Sequence, residues 1–335
     1  MEPYFSIIIP TYFRDGNIEK FLPRMLNSIT TNDCLDLIEV IISDDLSEDD
    51  LKTVTDRYPE INLQIIQNDH HYGFPRAGRQ HGADEARGVW ICFADQDDYF
   101  VDHAFDRLYQ FITYNKAKNY IISDFIEEVV ATGKRITRPR GKGWTHGKFY
   151  EKAMWDRLGV RYDEISYCED INLSVKLECM QMEDHFEVFE LAEPLYVWMR
   201  RKDSLADEQY FADSMPDYAK ATLGVIIQYM RKYREQKEIF DAYVIKFIVA
   251  FLHFYFYFQS DILCHRTAVR LNTVLMLQPY FAELKSMLGI TSIQFLNMLS
   301  GDLLKLYNDT REGDFNQIPF IEQMTLYDWI FDYFE

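Results

Sequence analysis

Three acids within four residues, Asp95-Gln96-Asp97-Asp98, form the densest chemical signal in the chain. Carboxylates this close repel one another, and the repulsion costs free energy unless a cation or strong donors compensate it. Hard oxygen ligands of this kind suit Mn2+ or Mg2+. A solvated turn capping the next helix would tolerate the same acids, but their place directly after a buried apolar run favours a metal. Glu169-Asp170 is the second signal, two acids ahead of an apolar-patterned helix. Asp170 there can be an ordinary N-cap. A carboxylate facing an acceptor hydroxyl is equally what a general base requires. A helix N-terminus lowers a carboxylate pKa, so Asp170 is expected to be ionised at neutral pH.

These acids need elements to hold them. Residues 5–10, 38–43, 63–67 and 89–94 read as short apolar strands. Between the first two, Ile18, Phe21, Leu22, Met25, Leu26 and Ile29 recur at the spacing of a helix packed on a sheet. Pro75 marks the first turn of a second helix, which Gly88 follows. Another helix carries Ala104, Phe105, Leu108, Tyr109 and Ile112, with Asp102 as its expected cap. Alternating strands and helices imply parallel strands with crossover helices. In such sheets ligands bind beyond the carboxyl ends of the strands. Thr11, Asp44, Asp45 and the Asp95 to Asp98 cluster all fall there.

Beyond this half the pattern is mixed. Strand pieces at 120–125, 186–189 and 195–198 flank a helix at 170–182, and the basic stretch 134–148 reads as a loop or flap. From about residue 206 the chain reads as helical and rich in aromatics, so the expected domains are 1–205 and 206–335. Phe247, Phe251, Phe254 and Phe258 share one helical face. Core packing is the plain reading of that face; a homo-oligomer or an acceptor grip through the C-terminal helices is the sharper one.

Composition sets bounds. The 335 residues are 48% hydrophobic, enough for a large α/β domain and a smaller helical one. A net charge of −19 opposes nucleic acid as a partner. Five scattered cysteines without a CxxC pair argue for reduced thiols and against zinc. Met1-Glu-Pro-Tyr-Phe5 carries no basic n-region, so no signal peptide is expected. The longest apolar run, 247–258, is too short for a transmembrane segment. A cytoplasmic protein is expected.

Taken in order, the motifs resemble a known family. Pro10-Thr11-Tyr12, Asp44-Asp45-Leu46-Ser47, the 73–82 segment with Arg79, Asp95-Gln96-Asp97-Asp98 and Glu169-Asp170 match glycosyltransferase family 2 in order and spacing. The match covers roughly the first 200 residues. It implies an α/β GT-A fold, a Rossmann-like, mainly parallel sheet flanked by helices, followed here by a helical C-terminal domain. It also implies an inverting transfer of sugar from a nucleotide-diphosphate sugar, UDP being the commonest carrier. By the resemblance, Pro10, Thr11, Tyr12 and Asp44 hold the nucleotide base, and Arg79 approaches base or diphosphate. Asp95 contacts ribose, Asp97 binds the metal, Asp170 is the base and Glu169 supports it. His146, Lys148, Arg200 and Lys202 are candidates for diphosphate or acceptor. Three departures stand out: Phe13 where Asn is common, Leu46 for Gly, and Gln80-His81 in the helix motif. Leu46 suggests a less tight turn.

Two other readings compete. A sugar nucleotidyltransferase would want a Gly-rich phosphate loop, which residues 10–16 do not supply. A non-catalytic sugar-nucleotide-binding or assembly protein would need no base, and Asp97 and Asp170 argue against it. The acceptor class left open is a glycan, a polymer or a lipid-linked molecule.

Overall fold

The computed structural model describes residues 2–141, 145–165, 168–201 and 208–257, with residues 286, 287 and 289. The chain divides into two units, Met1–Asp207 and Glu208–Glu335.

In the first unit the order is β1 (Phe5–Thr11), α1 (Ile18–Thr30), β2 (Ile38–Asp44), α2 (Lys52–Thr55), β3 (Asn62–Gln67), α3 (Pro75–Glu85) and β4 (Trp90–Phe93). There follow β5 (Tyr99–Phe100), α4 (Ala104–Asn115), β6 (Tyr120–Val129), β7 (Lys134–Arg138), β8 (Lys148–Glu151), α5 (Lys152–Arg157), α6 (Glu169–Asp184) and β9 (Val188–Arg200). One sheet runs β3-β2-β1-β4-β8-β6-β9-β5, with β7 on β6. The first four strands are parallel. Strand β8 is antiparallel to both β4 and β6, and β9 runs parallel to β6. The expected mixed, mainly parallel sheet is what forms.

Its core follows strand alternation. Phe5, Ile7 and Ile9 of β1 face a cluster with Leu22, Met25, Leu26 and Ile29 of α1 and Phe105, Leu108 and Ile112 of α4. Ile8, one residue out of phase, faces the opposite layer with Ala83, Trp155, Leu173 and Leu177. Each such side chain contributes about 1.5–3 kcal/mol when fully buried. Both sheet faces are therefore covered, which is why β1 and β2 read as continuous apolar runs.

Three expectations need correction. The stretch 134–148 is not all loop: Lys134–Arg138 is a strand, antiparallel to β6. The pieces at 186–189 and 195–198 belong largely to one strand, β9, with Pro194 at a register shift, where the ladder does not need its missing N–H. Asp102 does not cap α4. His103 precedes that helix in the left-handed region with no side-chain cap bond. Asn32 Oδ1, from the end of α1, instead accepts from Phe105 N at 2.8 Å.

The second unit contributes α7 (Glu208–Lys232) and α8 (Lys237–Tyr257) among its described residues. Leu223, Ile226, Met230, Tyr243 and Phe247 are buried, and the Tyr229 and Tyr243 rings lie 5.3 Å apart. Phe258 and most of the remaining C-terminal segment lie outside the described residues. No described helix is long and apolar enough to cross a membrane.

Candidate active site

The acid loop begins where β4 stops. Ala94 N still bonds Ile8 O at 3.0 Å, and Asp98 N then closes a turn onto Asp95 O at 3.1 Å. Strand β9 holds that turn from the far side. Tyr196 Oη donates to Asp98 Oδ2 at 2.8 Å, Met199 N donates to Asp98 Oδ1 at 2.7 Å, and Asp95 N donates to Tyr196 Oη at 2.9 Å. Asp98 is buried, with both oxygens committed to this lock. Burial and the charges of Asp97 and Asp95 push its pKa up. Gln96, unremarked in the sequence, clamps the first motif: it accepts from Tyr12 N at 2.8 Å and donates to Tyr12 O at 3.2 Å.

Arg79 reaches the acids because α3 lies very close to the sheet. A Cβ on Gly78 would fall 2.9 Å from Pro10 Cβ, and one on Gly82 would fall 2.3 Å from Ile8 Cγ2. Only glycine permits this approach, and it brings the buried Arg79 guanidinium between two carboxylates. Its Nη2 meets Asp95 Oδ1 at 2.6 Å and its Nη1 meets Glu169. Burial disfavours the Arg79 charge, but Asp95 and Glu169 more than restore it. For Asp95 the same contact outweighs burial, so its pKa falls.

Glu169 and Asp170 open α6, with Cys168 before them in the left-handed region. Asp170 is the helix's second residue rather than its cap, and its Oδ1 accepts from Ile171 N at 2.8 Å. Burial pushes Glu169 up to about 7 despite Arg79, and the adjacent Asp170 charge adds to the rise. Asp170 is also raised, burial outweighing Arg79 and Lys148. This reverses the expected direction: desolvation at this depth exceeds the helix-terminus effect. A raised pKa brings a carboxylate closer to the optimum for accepting a proton near neutral pH.

The strand ends on the other side are self-contained. Asp44 is buried; it takes both oxygens to Ser47 N at 3.2 Å, bonds Ser47 Oγ, and accepts from Thr11 Oγ1 at 3.4 Å. This turn places Leu46 at φ 63. The turn is thus as tight as glycine would make it, and the leucine bears the strain, not a looser loop. Asp45 organises the following loop through Asn68 Nδ2 at 2.8 Å, Tyr72 N at 2.9 Å and Gly73 N at 2.8 Å. The Tyr12 ring lies 4.4 Å from that of His71. Phe13 is buried in the core, which explains an apolar residue where the family favours Asn.

Of the other candidates, His146 lies with the acids and Arg200 does not. Arg200 does not join the acids: its Nη1 meets Glu127 Oε1 at 2.9 Å, a carboxylate that Arg138 also holds at 2.6 Å. Its neighbour Arg201 is the residue whose guanidinium meets Asp97. His146 is buried and its pKa lowered to about 4 by that burial, so it is neutral at pH 7; its ring stacks on Tyr196 and Trp198 at 5.3 and 5.4 Å. Lys148 is buried, with Nζ donating to Ser174 Oγ at 2.7 Å. Lys202 lies outside the described residues.

At the acid loop one group of side chains could hold a divalent ion, and it does not include Asp97, the expected ligand. Ligand atoms of Asp95, Asp98 and His146 lie within 4.8 Å of one another. Asp98 is the poorest of these, since Tyr196 and Met199 already take its oxygens. Asp95 and Asp97 each keep acceptor capacity, because a carboxylate offers about four lone-pair positions and each arginine uses few of them.

Residues 6–163 match the model of Glycosyl transferase family 2. A Staphylococcus aureus poly(ribitol-phosphate) beta-N-acetylglucosaminyltransferase, TarS, is 34% identical over 97 residues, 28% of this chain and 16% of that protein. A Campylobacter jejuni GalNAc(5)-diNAcBac-PP-undecaprenol beta-1,3-glucosyltransferase is 33% identical over 110 residues, 32% of this chain and 34% of that protein. The aligned stretches therefore span about a third or less of these two relatives. The crystal structure of S. aureus TarS 1-349 in complex with UDP superposes with a TM-score of 0.61 at 18% identity, covering 84% of this chain and 80% of that one. The superposition shows the GT-A fold, and residues 6–163 of this chain form a glycosyl transferase family 2 domain.

Proposed function

We propose that this protein is an inverting glycosyltransferase that moves a sugar from a nucleotide-diphosphate sugar, UDP-linked, to a hydroxyl of a glycan, polymer or lipid-linked acceptor. The observation that carries this reading is the convergence on Arg79 of Asp95, from the end of β4, and Glu169, beside Asp170 at the start of α6. The family match and the UDP in the TarS complex support the donor class.

In this reading Thr11, Tyr12 and Asp44 hold the base and Asp95 the ribose. Asp97, with Asp95, holds Mn2+ or Mg2+, which when bound offsets charge developing on the diphosphate. Asp170 takes the acceptor proton as the hydroxyl attacks the anomeric carbon opposite the departing diphosphate; one displacement inverts that centre. Arg79 keeps Glu169 and Asp95 in place and compensates their charge. Unbridged Cys34, Cys92, Cys168 and Cys179 fit a reducing, cytoplasmic setting.

The test is a product assay with a panel of UDP-sugars and a pool of hydroxyl acceptors. Acceptor-dependent release of UDP, abolished by chelator and by Asp170→Asn, is expected. Tight donor binding without turnover against any acceptor would overturn the enzymatic reading. Release of pyrophosphate would point to nucleotidyl transfer instead.

A further inference from the structure

Asp97, the carboxylate assigned here to the metal, already has a cation. The Arg201 guanidinium meets Asp97 Oδ2, and the two side chains are only 17% and 18% exposed. The contact is built in rather than incidental. Asp98 binds Tyr196 and Met199 of β9, so the acid loop and the end of β9 are fixed in register and the following residue is delivered to Asp97. The Phe21 ring supports the guanidinium, with Arg201 Cζ 4.5 Å from its centroid. Arg201 is also one residue past the last strand residue, Arg200, so the sheet ladder itself does not hold it.

A divalent ion approaching Asp97 therefore meets an occupied anion. Either it binds beside a guanidinium, with two cations on one carboxylate, or the guanidinium leaves. Leaving is unfavourable unless the lost carboxylate is replaced, since a mostly buried guanidinium needs strong acceptors. A diphosphate supplies them, and the planar fork of an arginine matches phosphate oxygens in a bidentate way.

We propose that Arg201 is the counter-ion of Asp97 in the nucleotide-free protein, displaced by the divalent metal and received by the donor diphosphate. The proposal rests on the metal reading of Asp97 given above. Metal and nucleotide then bind with positive coupling, each gaining from the other's arrival. Divalent metal alone binds weakly because it competes with Arg201.

Titration calorimetry with Mn2+, with and without saturating UDP, tests this on the full chain. Wild type should bind Mn2+ alone at least tenfold more weakly than it does with UDP. Arg201→Met removes the competitor but keeps an apolar stem on Phe21. It should bind Mn2+ alone about tenfold more tightly than wild type, and UDP should enhance that binding less than threefold. Thermal unfolding checks that the variant is folded; if Met is not tolerated, Arg201→Gln keeps a donor beside Asp97 without the charge and should shift Mn2+ affinity in the same direction. If folded variants bind Mn2+ alone no more tightly than wild type, while wild type still binds Mn2+ with UDP, Arg201 is a fixed structural partner and the proposal is overturned. A different result marks failure of the underlying assignment: Asp97→Asn binding Mn2+ and UDP as wild type does would remove Asp97 from the metal, and this proposal with it.

Discussion

Replacing Arg79 by methionine isolates the electrostatic role of the site's central cation. The side chain is 4% exposed and faces Glu169, at 10%, and Asp95, at 33%. Methionine fills the stem but leaves both carboxylates without their cation. Breaking a buried pair by removing one partner costs about 3–5 kcal/mol. Asp95 is one-third exposed and its share is screened by solvent, so about 3 kcal/mol is expected. A domain of this size loses roughly 2–4 °C in Tm per kcal/mol, which gives a fall of about 6–12 °C at pH 8. In the wild type Asp95 has a depressed pKa, so it contributes stability above its unfolded pKa and loses it as pH falls through the folded one. Without Arg79 that contribution vanishes, and Glu169, already raised to about 7, rises further and takes up a proton on mild acidification. The gap between variant and wild type should therefore narrow by at least half between pH 8 and pH 5. Circular dichroism melts at the two pH values decide it. A fall below about 2 °C at pH 8, or an equal fall at pH 5, would refute the compensation argument.

Asp170→Asn should lower kcat by at least about a hundredfold, with unchanged Tm and unchanged UDP affinity by calorimetry; near-normal turnover would remove Asp170 as base. Because Glu169 is raised to about 7 and Asp170 is raised by burial, kcat/KM should fall as pH drops below about 7. Glu169→Gln should move that limb to lower pH, and a pH-rate profile measures it. Leu46→Gly relieves a left-handed leucine at φ 63, a strain of about 1–2 kcal/mol partly offset by the chain entropy of glycine. A net gain of about 0.5–1 kcal/mol in urea unfolding is expected, and a loss would show that Leu46 side-chain contacts matter more. Gly82→Ala would place a Cβ 2.3 Å from Ile8 Cγ2, an overpacking that costs about 1–3 kcal/mol; in an Ile8→Ala background, which lacks Cγ2, the same substitution should cost less in the same unfolding assay.

The elements that were plain in the sequence are those whose local pattern and tertiary setting agree. Strands β1 and β2 are buried along their whole length, so their apolar runs announced them. Strand β7 is Lys-Arg-Ile-Thr-Arg with mostly exposed side chains, and an edge strand of this kind is kept charged against unwanted pairing; nothing apolar marks it. The cap of α4 was misread because the acceptor for its first turn is Asn32, 73 residues from Phe105, and no local rule reaches so far. Of the basic run Arg200-Arg201-Lys202, the first and third are the expected site candidates, and Arg201 was passed over. Successive residues of an extended chain point to opposite sides, so a one-residue difference separates Glu127 from Asp97. The raised pKa of Asp170 was likewise invisible, since it depends on burial that only the fold creates.

The clasp between β9 and the acid loop has a consequence for how the protein comes into being. Asp98 meets Tyr196 and Met199 across sequence separations of 98 and 101 residues. During synthesis, therefore, β1 to β4 leave the ribosome long before the strand that completes their acid loop. Until then Asp98 must stay hydrated, so the central sheet and the site mature as two events, and contacts this distant in sequence form slowly. A release factor acting early, or a protease cutting between α6 and β9, would leave most of the sheet's parallel half intact and the acid loop open: a chain that looks folded by its first strands and is chemically blank.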